Sequence, residues 1–217
     1  MGYFKLTYQD HPIEVPAIEP SLTLRATSGS WPGQALDEFA TLNLRATSPR
    51  FFFDPNNDPE DDASQWLDPY LETQWLKIPL KRFHERDYRS LEKIHIDFKG
   101  EGTPNSLTGD DWWESPGLIA TYSDELFTKA EISFRYDGDG LFRARLAGES
   151  LFDTKFDIGF SAPLTVELIA YRNSATAKEL LNWFDGYLRE SDFAFTQRQL
   201  GVDIYVNGIA RDALAAR

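Results

Sequence analysis

The sequence contains no cysteine at all. Disulfides, thiolate metal sites and cysteine nucleophiles are therefore excluded, and a reducing, cytoplasmic setting is the natural expectation. Long apolar runs are missing too: none approaches the 18 residues or so that a membrane-crossing helix needs. The opening MGYFKLTYQDHPIEV has no charged segment followed by an apolar one, so no signal peptide is expected. Leu6 stands where a myristoylation signal wants Ser or Thr. Phosphate-cradling glycine motifs are absent, and neither Ser150 (GESLF) nor Ser161 (GFSAP) has the two flanking glycines of a hydrolase elbow. Histidine is scarce; of His11, His84 and His95, only His95 with Asp97 could seed a metal site.

Positive charge is also in short supply. Twenty-two Lys and Arg face 35 Asp and Glu, a net charge of −13. Such a field repels nucleic acid and anionic lipid and attracts basic proteins and cations. Aromatics, in contrast, are plentiful: six Trp, nine Tyr and sixteen Phe in 217 residues mark an ordered globular chain, not an acidic tail. A single domain over 1–217 is expected, with a sub-domain boundary near 100–117, where GEGTPNSLTGDDWWESPG reads as loop.

The dominant periodicity is two. SLTLRATSGS (21–30) and TLNLRATSPR (41–50) form a near-repeat. Each puts Leu-x-Leu-x-Ala on one face and Thr or Asn with Arg on the other, as half-buried strands do. Two copies at this spacing are antiparallel neighbours or chance; a repeat architecture would want three or more, so the near-repeat reads as convergence of strand chemistry. WLKIPL (75–80) and IHIDF (94–98) alternate as strands. KAEISFRYDGDGLFRARLAG reads as a hairpin turning at Asp137-Gly138-Asp139-Gly140. PLTVELIAY has the look of a central strand. One helix is predicted over 175–190, capped by Ser174 or Thr176, with Leu180, Leu181, Phe184 and Leu188 as its apolar stripe. The expected fold is mainly β, antiparallel and sandwich-like, with that one long helix packed on the sheets; the alternative is α+β.

Two acid-rich loops stand out. FFFDPNNDPEDDASQW (51–66) carries Asp54, Asp58, Glu60, Asp61 and Asp62 without one positive charge. Its prolines forbid a regular ladder, and Asp62 is placed to cap a short helix over ASQWL. Asp54, Asn56 and Asp58 mimic the start of a calcium loop, but Pro59 and Gln65 stand where that loop needs Gly and Glu. A less regular calcium site, a partner surface and a solvated loop are the three readings. The second block, Glu101, Asp110, Asp111, Glu114, Asp124 and Glu125, surrounds Trp112 and Trp113. Acids beside Trp suit a protein-binding hot spot or a sugar site with stacked rings and carboxylates. The plain alternative is one Trp in the core with the other covering it. A basic band at 77–99 lies between the two blocks and could neutralise one of them.

Trp75, Ile78, Pro79, Leu80 and Phe83, with IHIDF downstream, resemble a strand of carbohydrate-binding jelly-roll modules of the galactose-binding-like kind. The resemblance covers about a tenth of the chain and implies a β-sandwich.

The expectation for function is a non-catalytic acidic protein that docks a basic partner, of the kind by which an immunity protein or antitoxin neutralises a toxin. Its contact residues would be Asp58, Glu60, Asp61, Asp62, Asp110, Asp111, Trp112, Trp113 and Glu114. It would use no cofactor and bind neither nucleic acid nor membrane. Two alternatives stand beside it: a carbohydrate-binding module or glycan-active enzyme using Trp and carboxylates, and a calcium-stabilised structural domain.

Overall fold

The computed structural model describes residues 2–28, 38–60, 64–74, 76–121 and 123–215. The chain is mostly β, with a large antiparallel sheet. Its strands are β1 (Gly2–Tyr8), β2 (His11–Ser28), β3 (Phe39–Thr47), β4 (Phe51–Phe53), β5 (Gln65–Leu67), β6 (Tyr70–Thr73) and β7 (Lys77–Pro79). Then follow β8 (His95–Phe98), β9 (Gly117–Ala120), β10 (Asp124–Gly138), β11 (Leu141–Ser150), β12 (Lys155–Ala170), β13 (Phe193–Leu200) and β14 (Asp203–Ala210). Among the described residues two helices, α1 (Ala177–Asp185) and α2 (Arg211–Ala215), complete the set with five short 3₁₀ segments.

The pairings close on themselves. β2 pairs β3, β3 pairs β6, and the circuit continues through β9, β10, β11 and β12 back to β2. Long strands make this possible by changing partners along their length. The first half of β12 lies between β11 and β1, and its second half between β14 and β2. Pro163 sits at that handover, where β11 leaves the ladder. In β2 the change comes at a bulge between Ile18 and Ser21, where Glu19 has φ 48° and Pro20 follows. The β2–β12 pairing is parallel because β1, antiparallel to both, is wedged between their first halves. At the tip of that wedge sits Gly2, where a Cβ would meet Ala17, Gly159 and Phe160 at under 3 Å; a larger residue would hold the strands apart.

Alternation packs the core. Leu22 and Leu24 of β2 face Leu44 and Leu42 of β3, so the near-repeat is an antiparallel pair. On the other side the same residues face Leu164 and Val166 of β12, and all six are essentially buried. Each such side chain contributes about 1.5–3 kcal/mol on burial. The buried apolar residues of both halves of the chain, from Phe4 to Ala213, form one cluster. The expected hairpin is present: β10 and β11 pair Ile132 with Leu146 and Phe134 with Ala144, and turn through Asp139 and Gly140, both at positive φ.

Several local expectations are corrected. The helix predicted over 175–190 is nine residues long, not sixteen. Thr176 caps it in a full capping box with Glu179, but Gly186 ends it, and the chain turns so that Leu188 is buried from beyond the helix. Residues 65–67 form a strand paired with β4, not the capped helix expected over ASQWL; Asp62 itself lies outside the described residues. The predicted strand over 75–80 contracts to β7, after which 3₁₀ turns begin. Trp75, which carried part of the jelly-roll resemblance, also lies outside the described residues.

Candidate functional site

The second acidic block folds into a defined structure. Gly100, Gly102 and Gly109 adopt positive φ, and the segment doubles back on itself. The Trp112 amide donates to the Thr103 carbonyl (2.8 Å), and the Gly102 amide to that of Trp112 (2.7 Å). Asn105, buried, accepts from the Leu107 amide with its side chain (2.9 Å). Arg82 clamps the far side by donating to the carbonyls of Ser106 (2.8 Å) and Leu107 (3.1 Å). These contacts hold the acidic side chains on a fixed platform.

The two tryptophans divide their roles. Trp112 is buried and stacks edge-on against Phe98 with ring centres 5.4 Å apart. Trp113, its neighbour in sequence, is 82% exposed. Both line a cleft of 540 Å³ together with Asp110, Asp111, Glu114, Phe39 and Lys77. The three carboxylates are exposed. With one Lys against three acids the cleft carries a net charge of −2. It favours a cationic ligand over a neutral or anionic one. Five of the expected contact residues, Asp110 to Glu114, are thus brought together here.

The first acidic block is elsewhere. It leaves the sheet at β4 and returns at β5, near the Tyr70 end of the β6–β9 ladder, whereas the Trp cleft adjoins the Gly117 end. Asp54 Oδ1 accepts from the Asp58 amide (2.7 Å) and the Ser64 hydroxyl (3.2 Å), and Asp58 Oδ1 from the Glu60 amide (3.1 Å). These carboxylates shape their own loop. Asp58 and Glu60 are exposed but take no part in the Trp cleft, and Asp61 and Asp62 lie outside the described residues. Phe53, at the start of this segment, packs against Tyr8 and His11.

Other candidates resolve into structural roles. Glu125 is buried, accepting from the hydroxyls of Thr121 (3.1 Å) and Ser150, so the Ser150 hydroxyl is spent on it. The basic band pairs with itself and with the C-terminal region: Arg86 with Asp185 (2.7 Å), Arg89 with Asp212 (2.7 Å), Lys99 with Asp97 (2.7 Å). Asp212 also accepts from Tyr88 (3.1 Å) and Tyr136 (3.2 Å). The hydrogen bond from Arg89 holds its carboxyl below the usual range, and burial with the Tyr136 contact pushes the Tyr88 hydroxyl up. This cluster ties α2 to the β10–β11 hairpin. Among the described residues, no group of three or more His, Asp or Glu is placed to hold a metal, and no helix is long and apolar enough to cross a membrane.

Sequence reasoning missed a second cleft, of 510 Å³, on the outer face of the sheet around β2 and β12. Its signal was in plain view: Thr23, Arg25, Asn43 and Arg45, the outward residues of the near-repeat, all line it. Comparisons with protein-family models, with curated proteins and with solved structures return no match.

Proposed function

We propose that this is a non-catalytic docking protein whose Trp113 cleft receives a basic protein partner. The observation that carries the reading is Trp113: a large aromatic ring, 82% exposed, is held beside Asp110, Asp111 and Glu114 on a platform fixed by backbone hydrogen bonds. An exposed aromatic gains its contact energy only when a partner covers it, and surrounding carboxylates steer a cationic surface toward it. Neutralisation of a basic toxin, as an immunity protein or antitoxin performs it, is one function of this type. The lack of cysteine supports a reducing, cytoplasmic setting.

The test is capture by the full chain from its source cell, followed by reconstitution with the purified partner. The partner should be basic, its affinity should fall as salt rises, and D110N/D111N/E114Q should weaken binding at least about tenfold without altering the circular dichroism. Trp113→Ala should cost a similar factor. A captured partner that is acidic, or one that binds the triple variant undiminished, would refute the reading; so would capturing nothing.

A further inference from the structure

The second cleft lies across β6, β3, β2, β12, β14 and β13, away from the Trp cleft, with which it shares no residue. Strand register sets its side chains in rows. Asn43, Thr23 and Thr165 stand side by side on three strands, and Arg25, Glu167 and Asn207 on another three. The hydroxyls of Thr23 and Thr165 meet at 2.8 Å, and Arg25 donates to Glu167. Arg45 lies over the Tyr70 ring, 5.9 Å from its centre, beside Glu72 on the neighbouring strand. Among the described residues the side-chain amides of Asn43 and Asn207 have no hydrogen-bond partner.

We infer that this cleft is a binding site for a neutral oligosaccharide. Its charges cancel, Arg25 and Arg45 against Glu72 and Glu167, on a chain whose net charge is −13. An anion would meet that field and a cation would meet two guanidinium groups, so neither is favoured. An apolar ligand would strand two amides, two ion-paired groups and several hydroxyls without water or partner. What remains is a neutral ligand rich in groups that both donate and accept. Sugar hydroxyls do both, as do the Asn43 and Asn207 amides, while the Thr165 and Thr196 hydroxyls, which donate to the Leu22 and Asn207 carbonyls, offer lone pairs. A peptide would need apolar pockets for alternate side chains; of the apolar side chains in the lining, Val166 is buried and Ala194 and Ile209 are half-buried at one end of the cleft. Six strands at about 4.8 Å spacing give the cleft a span of about 24 Å, which calls for several linked rings and not one.

Isothermal calorimetry on the full chain tests this, using neutral hexasaccharides of glucose, xylose, mannose, galactose and N-acetylglucosamine, their monosaccharides, and a hexasaccharide of a uronic acid. At least one neutral hexasaccharide should bind, its monosaccharide at least about tenfold more weakly. N43A/N207A should weaken binding by about tenfold or more, with Asn207→Ala alone, at an exposed position, serving if the double variant does not fold. Trp113→Ala should leave it unchanged, which keeps this result separate from partner docking. Silence across the neutral panel overturns the inference. So does binding indifferent to Asn43 and Asn207, binding abolished by Trp113→Ala, or a preference for the uronic acid oligomer.

Discussion

Replacing Gly138 and Gly140 by alanine, one at a time, should give unequal losses of stability although the two lie in one turn. Both adopt positive φ, 90° and 70°, so each alanine carries a backbone strain of about 1–2 kcal/mol. Beyond that they differ. A Cβ on Gly138 would project into open space. One on Gly140 would come within 2.6 Å of the Ala213 nitrogen, in the backbone of α2. A backbone atom cannot rotate aside, so α2 must shift, and with it Asp212, which accepts from Arg89, Tyr88 and Tyr136. Three hydrogen bonds to a carboxylate, one of them from a guanidinium, would be worth about 4.5 kcal/mol or more at full strength. The Asp212 side chain is 42% exposed, so water replaces part of that, and about 1–2 kcal/mol is the discounted figure. Gly138→Ala should therefore cost about 1–2 kcal/mol and Gly140→Ala about 2–4. Urea unfolding followed by Trp fluorescence measures both. In a D212A background the excess for Gly140→Ala should shrink, since its main cause has been removed. Equal costs for the two alanines, within about 0.5 kcal/mol, would refute the reasoning.

The paired tryptophans should separate in the same assay: Trp112→Ala should cost about 3–5 kcal/mol, and Trp113→Ala less than about 0.5. Thr176→Ala removes the capping box of α1 and should cost about 1 kcal/mol. Acid should destabilise the fold through Asp157, whose carboxyl is held low chiefly by its hydrogen bonds from Arg145. Because the folded-state value is the lower one, the unfolded chain binds the extra proton. The contribution is complete above the ordinary carboxylate value of about 3.9 and is lost as pH falls through the folded value. Urea midpoints measured from neutral to strongly acid pH should fall less steeply for Asp157→Asn; an unchanged slope would count against this. Tyr70, pushed up to about 12 by burial and by its hydrogen bond to Glu72, should remain protonated near pH 11 together with Tyr88. Ultraviolet titration at about pH 11 should find these two phenols largely silent in the folded protein and ionised once urea unfolds it.

What was legible from sequence is what neighbours along the chain decide. Leu22, Leu24, Leu42 and Leu44 point inward because successive strand residues face opposite ways, and no knowledge of the partner strand is needed to say so. The Asp137–Gly140 turn was equally local: residues that tolerate positive φ stood where two alternating runs met. The Trp113 cleft was partly local as well, since its acids and aromatics are consecutive in the chain. The division of labour between Trp112 and Trp113 was not local. It depends on Phe98, fourteen residues earlier, which offers a ring to one indole and not to the other.

The outward face of the same strands obeys a different rule, and this is where sequence reading ran out. Thr23, Arg25, Asn43 and Arg45 are ordinary solvent-facing residues when each strand is considered alone. They become a site only because β2 has β3 on one flank and the second half of β12 on the other. That neighbour is delivered by the wedge of β1, which separates β2 from β12 up to Gly2 and then lets them meet. Thr165 and Glu167 enter the cleft through that closure, from more than 140 residues away. Inward faces are selected by burial, which every strand experiences for itself. An outward face acquires meaning from its neighbours, and the near-repeat showed which residues would face out without showing what would come to stand beside them.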